Sequence, residues 1–248
     1  MAYLNFISDS DLENHIKETL DEYRETLKGI NLERFNENII DPIKLTFDSI
    51  VYNKKIKTIL NEEIARQRDK SNTNAIGYFH QKIFKYIRNC EVPQKGFDII
   101  FNDGTQKYYV ELKNKHNTMN KGGADSVYIN LQNQALKESD CICALVEVIA
   151  KSSQNIKWQR TMNGQKVENE RIRRISIDKF YEIVTGEKDA FAKLCKVLPE
   201  IITKIVNKTI ANKREKDTVF QELKQKDKNL LKSLYLLAFK TYEGFDNF

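Results

Sequence analysis

The 248-residue sequence predicts an α/β protein with a central mixed β-sheet flanked by helices, and with helical additions at its N- and C-terminal ends. Three observations predict it. Residues Phe97–Asn102 and Lys107–Lys113 alternate apolar and polar side chains on either side of Asp103-Gly104, the local signature of a β-hairpin. The run CICALVEVIA, Cys141–Ala150, is apolar over the length of a buried strand. Stretches of helical period precede and follow both. Hydrophobic residues make up 40% and charged residues 31%, which excludes a disordered chain.

From Ser8 or Asp9, Leu12, Ile16, Leu20, Tyr23 and Leu27 recur at helical spacing, and Gly29 is a stop signal. Residues 41–69 hold one or two further helices, with Pro42 near a start and Ile56, Ile59, Leu60 and Ile64 on a buried stripe. The polar run Arg66–Asn74 reads as a connection. Thr73 or Asn74 then caps a helix to Arg88 whose apolar face is Ile76, Phe79, Ile83, Phe84 and Ile87.

After the hairpin, Asn114–Gly123 reads as a polar loop and 126–137 as a helix through Val127, Ile129 or Asn130, Leu131, Ala135 and Leu136. A strand is expected at Ile172–Ile177, then a short helix capped by Asp178 and ended by Gly186. Helices complete the chain around Phe191–Val206 and Val219–Tyr242. We expect one domain over 1–248, with a helical part at 1–73, an α/β core at 74–186 and a helical part at 187–248.

The N-terminus has no basic segment leading into an apolar run and no small-residue cleavage site, and no stretch reaches the length of a membrane span, so a cytoplasmic protein without a membrane partner is expected. Four scattered cysteines do not make a disulfide scaffold. Cys141-x-Cys143 lacks a second ligand pair at zinc spacing and reads as buried strand. Lys and Arg outnumber Asp and Glu by 41 to 35, a net charge of +6 that favours a polyanion without requiring one.

With a two-residue Asp103-Gly104 turn, Asn102 pairs with Thr105 and Asp98 lies opposite Tyr109. Phe97, Ile99, Phe101, Tyr108, Val110 and Leu112 then share the core face, and Asp98, Tyr109, Glu111 and Lys113 the other. Glu111 becomes the diagonal neighbour of Asp98, with about 7–8 Å between their backbone positions, within reach of one cation. Two carboxylates beside phosphate suit Mg²⁺, and an ammonium two residues along can orient a water or meet a phosphate. Alternating charge on a solvated sheet face is the plainer explanation of the same pattern.

The string FD-(x12)-ELK, with Asp98, Glu111 and Lys113, resembles the PD-(D/E)XK nuclease motif. NAIGYFHQKIF, VELKNKHNTMN, LVEVIAKSSQNI and NERIRRISIDKFYEIVTG resemble the type II restriction endonucleases that cut GGNCC, over roughly residues 1–205. The residue before Asp98 is Phe97, with Pro93 well upstream, so the first half of the motif survives as its aspartate alone. The resemblance implies a restriction-endonuclease-like core forming a single nuclease domain. It further implies a homodimer that cleaves double-stranded DNA with Mg²⁺ held by Asp98 and Glu111, and a partner methyltransferase protecting the host.

Asn114, Lys115, His116 and Asn117 follow the catalytic strand, either contacting DNA or leading into the next helix. Arg171, Arg173 and Arg174, with Lys157, Trp158 and Arg160, make either a DNA-reading surface or ordinary surface charge. Glu62 or Glu63 can supply an extra acid or lie on a solvated face, and His80 and Gln81 precede the hairpin without an assigned role. A repair or junction nuclease would share the same three catalytic residues, whereas a non-catalytic DNA-binding protein would need only the basic surface.

Overall fold

The computed structural model describes residues 2–208, 214–243 and 245. The elements run α1 (Asp9–Glu25), α2 (Leu32–Asn36), α3 (Pro42–Val51) and α4 (Ile56–Lys82), then a short 3₁₀ turn at Ile83–Tyr86. There follow β1 (Cys90–Glu91), β2 (Ile99–Asn102), β3 (Lys107–Lys115), α5 (Lys121–Lys137), β4 (Cys141–Ile149), β5 (Asn155–Met162) and β6 (Gln165–Ser176). Helices α6 (Ile177–Thr185), α7 (Ala190–Lys208), α8 (Val219–Lys226) and α9 (Leu230–Phe239) complete the order.

The chain divides into two compact units, Met1–Thr19 with Ile76–Ile210, and Leu20–Ala75 with Ala211–Phe248; α1 and α4 contribute to both. The first unit contains the expected mixed sheet, six strands in the order β1-β2-β3-β4-β6-β5. β3, β4 and β6 run parallel, the other pairs antiparallel, and β4 is central. On one face α5 lays Ala124, Tyr128, Leu131 and Ala135 against Cys141, Cys143, Leu145, Trp158 and Ile172. Ile99, Phe101, Tyr108, Val110, Leu112, Ala144, Val146 and Ile175 are also buried and fall, by strand alternation, on the other face. There Phe180 and Tyr181 of α6 pack with Phe84.

The hairpin register differs from expectation. Phe101 pairs with Tyr108 and Asn102 with Lys107, so the loop is Asp103–Gln106, four residues rather than two. Asp103 causes this: its Oδ1 accepts from the Thr105 and Gln106 N–H groups, an Asx turn that widens the loop, while Gly104 takes φ +91°. A shift of two residues preserves side-chain faces, so Ile99, Phe101, Tyr108, Val110 and Leu112 keep their core role. Phe97 does not. The ladder is irregular at Asp98, whose N–H donates to Val110 O at 2.9 Å, and Phe97 turns to pack on Tyr109, with ring centroids 5.1 Å apart on the α5 face.

Arg66–Asn74 is helix, not connection, and α4 runs unbroken through it without a cap at Thr73 or Asn74. Its polar side chains serve tertiary bonds: Gln67 Nε2 donates to Phe35 O (3.0 Å), and Arg68 Nε donates to Thr26 O (2.7 Å) while its fork grips Asp217. α5 begins five residues early, at Lys121, because Asn120 Oδ1 accepts from Gly123 N at 2.8 Å and caps the glycine-bearing turn. Its buried stripe is Ala124, Tyr128, Leu131 and Ala135, leaving Ile129 and Leu136 exposed. The strand expected at Ile172–Ile177 is the end of a longer β6, joined to β5 through Asn163-Gly164, both at positive φ. Asp178 lies in the first turn of α6 rather than at its cap, which Ser176 occupies, and Gly186 ends that helix at φ +76°. The last helical stretch is broken between α8 and α9, where Asn229 caps α9.

The second unit is helical, with a core of Ile30, Leu32, Phe35, Ile40, Leu45, Ile59, Leu60, Ile64, Val219, Leu223 and Leu234. Among the described residues no helix is long and apolar enough to cross a membrane.

In the first unit His15 Nε2 meets Phe79 O at 2.9 Å, and burial, with the nearby His15, pushes His80 down to about 4. Because the unfolded chain protonates its histidine near pH 6.5 and the folded one only near 4, stability falls as pH drops between those values and is level above them. The expected loss is up to about 3 kcal/mol. Denaturant titrations at pH 7 and pH 4 should show His80→Gln losing less stability than wild type by roughly this amount; equal losses contradict it.

Candidate active site

Asp98 stands at the entry to β2 and Glu111 in the middle of β3. The Asp98 backbone N–H goes to Val110 O, and its Oδ2 accepts from Leu112 N at 2.7 Å, so its two bonds bracket Glu111 along β3. The other Asp98 oxygen has no hydrogen-bond donor among the described residues. Lys113, two positions along the same face, donates to Glu111 Oε2 at 3.3 Å, and both side chains are partly exposed. The three expected catalytic residues are therefore brought together.

Electrostatics describe a site short of positive charge. Burial, and next the neighbouring Asp98 charge, hold the Glu111 carboxyl above the usual range, against the opposing pull of Lys113. A cation between the two carboxylates relieves both effects. Two hard oxygen donors, each only partly exposed, fit Mg²⁺, which keeps several waters and takes one or two carboxylates plus a substrate oxygen. Beside Glu111 a cleft of about 240 Å³ is lined by Gly96, Phe97, Asn130, Asn133, Gln134 and Lys137, so α5 presents amides and an ammonium at its edge.

The other expected residues are dispersed. Asn114 faces away from Lys113, next to Gly77 of α4; Lys115 ends β3 opposite Ile149, and His116 and Asn117 form the turn after it, where His116 N–H donates to Ile149 O. Arg171 donates to the carbonyls of Glu138 and Ser139, Arg173 to Asn155, and Arg174 to Glu147. Trp158 is core, against Tyr128, while Arg160 pairs with Asp125 and Lys157 with Glu168 and Glu170. Glu62 and Glu63 belong to the helical unit and hold Lys54 and Arg66. Gln81 Nε2 reaches Asp98 O at 3.4 Å, and His80 packs on Phe79.

Glu147 was not among the sequence candidates, yet it lies directly across the β3–β4 ladder from Lys113 and is wholly buried. The sequence did carry a signal: one acid within CICALVEVIA demands a partner.

A model of the Eco47II restriction endonuclease family matches residues 4–207. The chain belongs to this family. It is 33% identical over 234 residues to the type II restriction enzyme Sau96I of Staphylococcus aureus, covering 91% of this chain and 90% of that one. It is 28% identical over 219 residues to the type II restriction enzyme Eco47II of Escherichia coli, covering 85% and 91%. The protein is thus a type II restriction endonuclease, a site-specific deoxyribonuclease, and the Asp98–Glu111–Lys113 cluster sits in the part of the chain that the family model spans.

Proposed function

We propose that this restriction endonuclease hydrolyses double-stranded DNA at GGNCC, or a subset of it, through a PD-(D/E)XK site in which Asp98 and Glu111 hold Mg²⁺ and Lys113 assists. The observation that carries the reading is the meeting of two carboxylates and a lysine on β2 and β3, with Asp98 fixed on both sides of Glu111. The GGNCC assignment rests on the likeness of the segments at residues 74–84, 110–120, 145–156 and 169–186 to enzymes of that specificity.

Bound at this pair, Mg²⁺ supplies a Lewis acid that stabilises charge on the phosphate and acidifies a nearby water. The chain does the rest. Asp98 is oriented by the Leu112 N–H, so its remaining oxygen is preset for a cation rather than recruited at the moment of reaction. Glu111, raised by burial, regains its charge advantage when a cation is present. Lys113 keeps an ammonium beside Glu111, where it can hold the attacking water or share the scissile phosphate's charge. A homodimer with one site per strand, a cognate methyltransferase and a cytoplasmic location complete the reading.

The test is to incubate the protein with unmethylated plasmid DNA, with Mg²⁺ or with EDTA, and to sequence the ends of the products. Discrete fragments ending at GGNCC only with Mg²⁺ are expected. Fragments ending at another sequence overturn the specificity, and cutting in EDTA overturns the metal requirement.

A further inference from the structure

The face that carries Glu111 and Lys113 also holds a charged pair that the proposed reaction leaves unused. Glu111, Leu145 and Arg174 form one row across β3, β4 and β6, and Lys113, Glu147 and Ser176 the next. Arg174 is thus two strands from Glu111, about 10 Å between backbones. Glu147 is fully buried, whereas the Arg174 side chain keeps 26% of its surface.

Arg174 is held at two points. Its Nε donates to Glu147 Oε2 at 2.9 Å and its Nη2 to Oε1, a bidentate fork. Nη2 also reaches the His116 carbonyl at 3.4 Å, and the His116 N–H is bonded to Ile149 O at 3.0 Å, so the turn after Lys113 and the end of β4 fix the guanidinium together. Burying a carboxylate in a central strand stabilises little compared with apolar packing, but it does set an arginine's direction before any ligand arrives.

The bonding pattern says what that arginine can still bind. Reading guanine takes two parallel N–H donors of one fork; here the Nε–Nη2 edge is spent on Glu147, and Nη2 is shared with His116. Nη1 makes no hydrogen bond among the described residues. Donors on one nitrogen suit a single anionic oxygen, such as the phosphates of a strand lying over the Asp98–Glu111 pair present.

We propose that Arg174 binds a backbone phosphate of the DNA next to the one cut, and that Glu147 is its positioning residue. The proposal rests on the reading of Asp98, Glu111 and Lys113 as a nuclease site, and goes beyond it in assigning a sequence-independent contact.

The experiment compares wild type, Arg174→Lys, Arg174→Met and the double variant Glu147→Gln/Arg174→Met. Arg174→Met alone strands a buried carboxylate and can fail to fold, which the double variant avoids. Binding is measured with Ca²⁺ in place of Mg²⁺, from low to moderate salt, on one duplex containing GGNCC and one lacking it; cleavage is measured with Mg²⁺. A lost phosphate contact lowers the magnitude of the slope of log K against log salt by about 0.9. We expect that loss in the double variant on both duplexes, a cleavage rate lower by about 10- to 100-fold, and retention of the slope in Arg174→Lys.

A double variant with wild-type slope and rate makes the pair merely structural and overturns the proposal. A loss confined to the GGNCC duplex overturns it too, by assigning a base contact. If wild type does not cut at all while the slope still falls, the nuclease reading fails and the phosphate contact stands.

Discussion

Asp98→Ala and Glu111→Ala should each lower the single-turnover rate of DNA cleavage by about 10³-fold or more while leaving site-specific binding intact. A metal at this pair contributes several kcal/mol to the transition state, and each 1.4 kcal/mol is a factor of about ten, so losing one of two protein ligands reaches that range. Binding survives because the substitution removes negative charge from a surface that meets phosphate. Folding survives as well: Asp98 accepts one hydrogen bond from an edge of β3, and Glu111 sits in the site above its ordinary pKa, so its removal relieves a local electrostatic cost. The measurement is single-turnover cleavage beside equilibrium binding of the same duplex. Cleavage within about tenfold of wild type in both variants would falsify the assignment.

Phe84→Ala should destabilise the sheet-containing unit by about 3–5 kcal/mol, the cost of deleting a fully buried aromatic and leaving a cavity. Phe84 has no exposed surface and lies between Phe180 and Tyr181, with centroids 5.1 and 5.0 Å away. It joins the turn after α4 to α6, beneath the strands that carry the site. Tyr181 is itself wholly buried, so the cavity has no solvent edge through which to collapse. Denaturant unfolding followed by tryptophan fluorescence reports on this unit, because Trp158 packs against Tyr128 within it. A loss below about 1 kcal/mol would mean that α6 closes over the gap and that the aromatic cluster is not fixed as described.

Most of the site was legible because strand alternation is insensitive to an error of two residues. The register was set two positions off, since the Asx turn made by Asp103 adds length that a bare Asp-Gly turn lacks. Yet Asp98, Glu111 and Lys113 stayed on one face. Phe97 fell on the wrong side because the irregular bond from Asp98 to Val110 O is a tertiary detail with no local pattern. The hairpin at Asn163-Gly164 lay outside the expected elements although Asn-Gly is among the strongest turn signals; the apolar residues beside it, Trp158, Met162 and Val167, are separated by charged and amide side chains, so the alternation is diluted.

Arg66–Asn74 shows the opposite limit. A helix without an apolar stripe looks like a loop until Gln67 and Arg68 meet backbone carbonyls distant in sequence. Glu147 was hidden for a related reason. An acid inside an apolar run announces that a partner exists but not which of several nearby arginines it is, and only the β4–β6 register brings Arg174 alongside.

In the proposed mechanism Asp98 and Glu111 hold the cation jointly. Mn²⁺, which accepts the same oxygen donors and is visible by electron paramagnetic resonance, allows occupancy to be read without relying on cleavage. Titrated into the complex with a GGNCC duplex, wild type should bind Mn²⁺ tightly enough to deplete the free signal, and the Asp98→Ala/Glu111→Ala double variant should leave that signal as it is with DNA alone. Equal depletion by the two proteins would place the metal elsewhere and contradict the account.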